Sequence, residues 1–313
     1  MSARCRGLLH LAAAVDQPDC LDSGSYVELA RLAERGGLDF VTLDDSPARP
    51  GFDALATLSR VASATRRIGL VPTVAHRTGP FRAQTAVAAL DQVSRGRAGW
   101  RIDVFPAEQD APPFGRRRVA PVPRPPQGHL VRVADATEDE DGAAVAARYA
   151  DVALVRAVTP AQAAVVRDRL RAQADRFGRK PDSLRVLASL LVDLGDGEYA
   201  AEPGHGGGGP RQTARGPLYR GGPVDLAELI ATWHAEGAAD GFHLVPVEPR
   251  RDLERLVNGT VAVLQHRGLF RTFYPGSTLR EHLGLTRPAG RPAPARGPGR
   301  ERPIASEARP GHV

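Results

Sequence analysis

The sequence predicts an α/β fold and, within that class, a (β/α)8 barrel of the TIM type. Three observations lead there. Short apolar runs of strand length alternate with amphipathic helical stretches along most of the chain. The connections between them are mostly short, which implies parallel strands joined by right-handed crossovers. Eight such strands can be placed, the number that closes a barrel. An open doubly wound sheet is the alternative, because its glycine fingerprint after strand one is absent here but is not obligatory.

Gly7–Val15 (GLLHLAAAV) is the first strand. Ser25 and Glu28 have capping-box spacing, and Tyr26, Leu29, Ala30 and Ala33 then share one helical face that Gly36-Gly37 closes. Phe40–Leu43 is the second strand, ending in Asp44, Asp45 and Ser46. A helix over Phe52–Thr65 follows, then strand three over Ile68–Ala75, ending in His76-Arg77-Thr78. Arg82–Val93 is helical, and Ala98–Val104 is strand four.

After Val104 the cycle breaks. Pro106–Gln127 (PAEQDAPPFGRRRVAPVPRPPQ) is too rich in Pro and Arg for a helix or a buried strand. It resumes with a strand over Leu130–Ala136, a helix near Asp141–Tyr149 and a strand over Val152–Val155. Thr159 caps the clearest helix, Pro160 opens it and Gly178 closes it. Leu184–Leu194 is strand seven, and Asp196–Gly222 reads as a glycine-rich loop. Leu226, Leu229, Ile230 and Trp233 mark a helix, Gly241–Val247 is strand eight, and Leu253–Leu264 is the last barrel helix. The chain thus divides into a barrel domain, residues 1–286, and a disordered Pro/Arg-rich tail, residues 287–313.

Composition excludes several classes. The net charge is +6 and Lys180 is the single lysine, but the arginines are scattered among Asp and Glu and aromatics are only 5%, so nucleic acid is not an expected partner. No apolar run reaches membrane-spanning length. Met1–Val15 faintly resembles a signal peptide, yet its removal would remove the first strand. Cys5 and Cys20 make neither a disulfide framework nor a metal-type pair, so no metal is expected and a reducing cytoplasm fits.

In a parallel barrel the functional face lies at the C-terminal ends of the strands. There the sequence places Asp44, Asp45 and Ser46, then His76, Arg77 and Thr78, then Arg101 and Asp103. Asp135 and Thr137 follow strand five, Arg156 follows strand six and Glu248 follows strand eight. Arginines, threonines and backbone amides gathered at one mouth suit a phosphate-bearing cofactor, and a carboxylate pair beside a histidine suits acid–base work. Each residue also has a structural reading. Asp44-Asp45 can cap a turn, His76 can be a solvated loop histidine, and Trp100 fits the core. His10, His243 and Trp233 read as core or wall residues, and His234, His266 and His282 as surface. There is no P-loop, GxSxG elbow or HExxH motif.

Two blocks add a resemblance. Tyr26–Ser46 (YVELARLAERGGLDFVTLDDS) joins Ile68–Trp100, above all GPFRAQTAVAALDQVSRGRAGW. Ala231–Leu285 contains ATWHAEGAADGFHLVPV and then VAVLQHRGLFRTFYPGSTLREHLGL. Both resemble the bacterial-luciferase-like flavin-dependent monooxygenases, in the branch of the nitrilotriacetate and dibenzothiophene-sulfone monooxygenases. The resemblance implies a barrel, usually a homodimer, that binds reduced FMN delivered by an NAD(P)H-dependent flavin reductase. It implies oxidation of a small organic substrate with O2. It places cofactor contacts at Asp45, at His76 or Thr78 after strand three, at Arg101 and at Thr137; the reading built on it takes Thr78 for the cofactor and gives catalytic roles to His76, as a proton donor, and Arg101, to offset charge.

The chain departs from that pattern after strand four. FGRRR at Phe114–Arg118 runs almost directly into PRPPQG at Pro123–Gly128, as though the middle of the family segment were absent. The expectation is therefore a barrel with its fourth crossover truncated. Two alternatives stay open: a flavin-binding barrel with weakened or lost activity, and a deazaflavin-dependent oxidoreductase on the same fold.

Overall fold

The computed structural model describes residues 7–17, 22–45, 53–74, 80–102, 125–136, 140–195 and 209–286. Eight parallel strands close on themselves. They are β1 (His10–Ala14), β2 (Phe40–Leu43), β3 (Gly69–Val74), β4 (Gly99–Ile102), β5 (Val131–Asp135), β6 (Val152–Val155), β7 (Arg185–Asp193) and β10 (Gly241–Pro246). Each pairs with the next in parallel, and β10 pairs with both β7 and β1, which leaves no free edge. The barrel expected from the alternation is present, and the open sheet is set aside.

The helices lie between the strands: α1 (Ser23–Arg35), α2 (Ala54–Ala64), α3 (Pro80–Ser94), α4 (Glu140–Tyr149), α5 (Pro160–Arg176) and α6 (Pro223–Glu236). After β10 comes one continuous helix, formed by α7 (Pro249–Arg255), a π-helical stretch at Leu256–Val261 and α8 (Ala262–His266). Local chemistry fixes their ends. Thr159 caps α5 by accepting from the Gln162 amide, and Gly237 ends α6 in the left-handed conformation. The α1 cap is three residues earlier than expected: Asp22 accepts from the Gly24 amide, while Ser25 donates to Gln17 instead. The reciprocal capping box is at Thr278 and Glu281, opening the short α9 (Leu279–His282).

A second correction concerns the glycine-rich stretch after β7. Its last part is a hairpin, β8 (Arg211–Thr213) and β9 (Gly216–Arg220), and β9 runs parallel to the C-terminal half of β7, with Leu191 opposite Leu218. The barrel pairing of β6 with β7 stops at Val155 and Ala188, so β9 takes up the ladder where β6 leaves it.

Two apolar layers hold the fold. Outside the barrel, helices and strands share a large core that includes Leu29, Leu58, Val61, Leu90, Ile230, Trp233 and Phe242. Inside, Ala12, Phe40, Val71, Val133, Leu154 and Leu187 fill the barrel, with Leu279, Leu283 and Leu285 closing it from below. His282, at the end of α9, is buried rather than at the surface: its ring packs on Tyr274 at 4.7 Å and its Nε2 lies 3.2 Å from the Gly276 carbonyl.

The quoted sequence blocks turn out to be largely structural. Arg97, in RGRAGW, is buried without a carboxylate partner among its bonds. It donates to the carbonyls of Ala62, Thr65, Ile68 and Ser94 and to the Thr65 hydroxyl, clamping the end of α2 to the entry of β4. Burial lowers its pKa. Asp91 and Gln127 are buried beside it, joined at 2.7 Å, so the chain returning to β5 is pinned below the barrel. In GLFRTFY, Arg271 meets buried Asp39 at 2.8 Å, and the Tyr274 hydroxyl donates to the Leu38 carbonyl. Arg280 faces Asp151 at 3.3 Å. Gly241, in ADGF, comes so near β1 that a Cβ would stand 1.9 Å from the His10 carbonyl oxygen.

Candidate functional site

Side-chain alternation decides what faces the mouth. Phe40 and Val71 point into the barrel, so Thr42 and Thr73, two residues further on, also point inward. The same parity, carried around by the register, turns Arg101, Asp135, Ser189 and His243 inward, and Arg156 follows directly above Leu154. The apolar interior thus gives way, toward the C-terminal end, to a polar ring drawn from seven of the eight barrel strands or their ends. Ala14 is the residue that β1 contributes at this level.

Two groups stand out in the ring. At its centre His243 is buried and bridges two hydroxyls: Nε2 lies 2.9 Å from Thr42 Oγ1, and Nδ1 lies 3.1 Å from Ser189 Oγ. Its pKa is pushed down to about 3, first by burial and then by the nearby Arg101 and Arg156, so the imidazole is neutral at ordinary pH. One ring nitrogen therefore donates and the other accepts. On the side of β4 to β6, two guanidiniums converge on one carboxylate oxygen, with Arg101 at 3.5 Å and Arg156 at 3.2 Å from Asp135 Oδ2. Thr73 Oγ1 is buried in the same layer without a hydrogen-bond partner.

The opposite side of the mouth is acidic. Asp45 is half-buried at the end of β2, and its pKa is raised, chiefly by burial and then by Asp53 and Asp44. The Asp44 amide donates to Asp16, tying the β2 end to the β1 end. The mouth is therefore polarised, with carboxylates near β2 and guanidiniums between β4 and β6.

Among the residues expected at the site, Arg101 is in the ring, and the structure joins it to Asp135 and Arg156, which sequence had also placed at the mouth. Asp45 is at the rim. His76, Thr78, Asp103 and Thr137 lie outside the described residues, as does the expected tail, 287–313. His243 corrects the reading as a core or wall residue: it is buried, but at the floor of the mouth. The available signal was parity, since His243 is two residues beyond Gly241, which faces the barrel interior. Trp100, half-buried, packs on the outer core as a core residue would. Among the described residues no cluster of three His, Cys, Asp or Glu is arranged to hold a metal, and no helix is long and apolar enough to cross a membrane.

Comparison with known proteins places this barrel. The chain matches the luciferase-like monooxygenase family over residues 10–103 and 106–206. It belongs to that family. It is similar to nitrilotriacetate monooxygenase component A of Aminobacter aminovorans, with 26% identity over 408 aligned positions, covering 84% of this chain and 90% of the relative. It is also similar to the dibenzothiophene-sulfone monooxygenase of Rhodococcus erythropolis, with 42% identity over 72 residues, 23% of this chain and 16% of the relative. The EDTA monooxygenase from Chelativorans sp. BNC1 has the same fold, with a TM-score of 0.74 at 21% identity, covering 90% of this chain and 99% of that one. The family resemblance read from the two sequence blocks is thereby established.

Proposed function

We propose that this protein is a flavin-dependent monooxygenase that uses reduced FMN and O2 to oxidise a small organic substrate. The observation that carries the reading is the family match over a barrel whose mouth is polar and whose interior is apolar. The residues suit a flavin. An apolar layer of Phe40, Val71 and Leu154 lies below a ring of hydroxyls and guanidiniums, and Thr73 Oγ1 is a buried polar atom still lacking a partner. Bound reduced flavin would supply the electrons that activate O2.

The chain's own part is to bind, orient and keep water out. Asp45, Thr78, Arg101 and Thr137 would hold the cofactor, with Thr73 and Ser189 added from the ring. His76 would move a proton at the mouth, and Arg101 would offset negative charge. His243 is not the proton donor in this reading, because it is already neutral and both its nitrogens are engaged. An NAD(P)H-dependent flavin reductase would deliver the reduced flavin, and the working form would be a homodimer in the cytoplasm.

The test is anaerobic titration with reduced FMN, followed by O2 uptake with a flavin reductase and a panel of small organic substrates. Binding together with substrate-dependent O2 uptake is expected; failure to bind reduced FMN overturns the proposal. One observation favours a second reading, a flavin-binding barrel without turnover. The alignment with nitrilotriacetate monooxygenase component A runs over 408 positions against the 313 residues of this chain, so long stretches of that relative have no counterpart here. That reading gives flavin binding without substrate-dependent O2 uptake. The spectrum of any copurified cofactor separates both from a deazaflavin enzyme.

A further inference from the structure

We infer that His243 is a positioning residue: it carries its proton on Nδ1 and thereby leaves the Ser189 hydroxyl free to donate a hydrogen bond to a ligand in the mouth. The inference rests on the flavin reading only for the identity of that ligand, reduced FMN.

Strand register places the ring. His243 is level with Ser189 on β7 and with Ala12 on β1. Ala12 carries only a methyl group, so the imidazole can pass over β1. It reaches Thr42 on β2, two residues beyond Phe40, which is level with Ala12. One side chain thus ties β10 to β7 on one side and to β2 on the other.

A neutral imidazole in this bridge has one N–H to donate and one lone pair to accept with. Burial decides which nitrogen holds the proton. Thr42 is 2% exposed, and among the described residues its hydroxyl has His243 Nε2 as its hydrogen-bond partner. With the proton on Nε2, Thr42 would accept it, and its own O–H would be buried with nowhere to donate. With the proton on Nδ1, Thr42 donates to Nε2 and no buried proton is stranded. Ser189 then accepts from Nδ1 and keeps its own O–H. It is half-buried rather than sealed, so that proton is available in the mouth. The other tautomer would consume it, because Ser189 would have to donate to Nδ1. The position of one proton on the imidazole therefore sets whether the mouth offers a donor at Ser189 or only lone pairs.

The same polar ring contains Thr73 Oγ1, buried and without a partner among the described residues, a vacancy in hydrogen bonding that a bound molecule would meet. A flavin presents carbonyl oxygens and ring nitrogens as acceptors, which suit a hydroxyl donor.

The test uses the full-length protein with isotope-labelled histidine. Ring-nitrogen NMR at pH 7, with His243→Gln identifying the signals by their loss, should show Nδ1 protonated and Nε2 bare. Anaerobic titration with reduced FMN reads the consequence. Ser189→Ala should weaken binding by about three- to tenfold, the worth of one hydrogen bond. His243→Leu should weaken it by a similar factor, yet add little in the Ser189→Ala background, because the two act through one hydroxyl. His243→Gln, whose amide offers both a donor and an acceptor, should bind within about twofold of the parent. Circular dichroism checks folding; should His243→Leu not fold, the tautomer and Ser189→Ala decide. A proton on Nε2 in the parent overturns the inference. So does Ser189→Ala that binds reduced FMN as the parent does, or His243→Leu that costs as much with Ser189 absent as with it present. A parent that binds no reduced FMN while Nδ1 holds the proton would instead sink the flavin reading and leave the Ser189 donor standing.

Discussion

Replacing Asp91 with Asn should change how stability depends on pH more than stability itself. Asp91 is completely buried. Its Oδ1 accepts from the Ala98 amide at 3.0 Å and from Gln127 Nε2 at 2.7 Å, and its Oδ2 has no partner. Burial outweighs those bonds and the opposing pull of the Gln127 backbone amide, and pushes its pKa up to about 6, from an ordinary 3.8. The folded protein therefore holds a proton that the unfolded chain has released over this range. Stability from this group is fully present below pH 3.8, is lost progressively as pH rises from there to about 6, and is gone above that. At 1.36 kcal/mol per unit, a rise of about two units amounts to roughly 3 kcal/mol. The Asp91→Asn variant keeps the Oδ1 acceptor and cannot ionise. Any cost of its new NH2 group is the same at every pH, so the diagnostic quantity is a difference of differences. About half of this is already lost at pH 5, so urea unfolding of both proteins at pH 5 and pH 8 should show the variant gaining on the parent by about 1.4 kcal/mol at the higher pH. An equal offset at both pH values would refute the argument that the carboxylate is buried and half-satisfied.

Other predictions follow from the same packing. Arg97→Met strands the carbonyls at the end of α2 and should cost about 3 kcal/mol or more, read as a lower urea midpoint with an unchanged slope. Gly241→Ala pushes a methyl into the β1 backbone and should leave little folded protein by circular dichroism; a cooperative melt near that of the parent would contradict the packing. His243 should stay neutral from pH 8 down to pH 5 in nitrogen-detected NMR of its ring, and a titration near 6.5 would show that the imidazole is not held as described.

The barrel was legible because its order is written in apolar runs. Phe40–Leu43 and Val152–Val155 are buried along their whole length, and Thr159, Pro160 and Gly178 frame α5 as their chemistry requires. The hairpin was not legible. RQTARGPLYR has no clean alternation, and its place depends on β7 outlasting β6, a property of two distant strands. His282 was misread because its helix is four residues long and gives no periodicity; only the barrel bottom explains its burial. At the mouth, Arg101, Asp135 and Arg156 could be placed from strand ends alone. Their convergence on one oxygen could not, and neither could the Thr42–His243–Ser189 bridge, because both require the register around a closed sheet.

The pinning of Gln127 beneath the barrel has a consequence for how this chain can vary. β4 hands the chain over at the top, and Asp91 together with the Ala98 carbonyl receives it again at the bottom. Among the described residues, the returning end is held by the bonds from Gln127 to Asp91 and to the Ala98 carbonyl. Strand β4 is four residues long, so the gap along the axis is on the order of 13 Å, which an intervening segment of almost any length can bridge. The entropy of closing it grows only as the logarithm of its length. The stretch between Ile102 and Pro125 is thus a cassette between two clasps. A longer segment grafted there would leave the Gln127 bonds to Asp91 and Ala98 available to receive the chain at the barrel bottom.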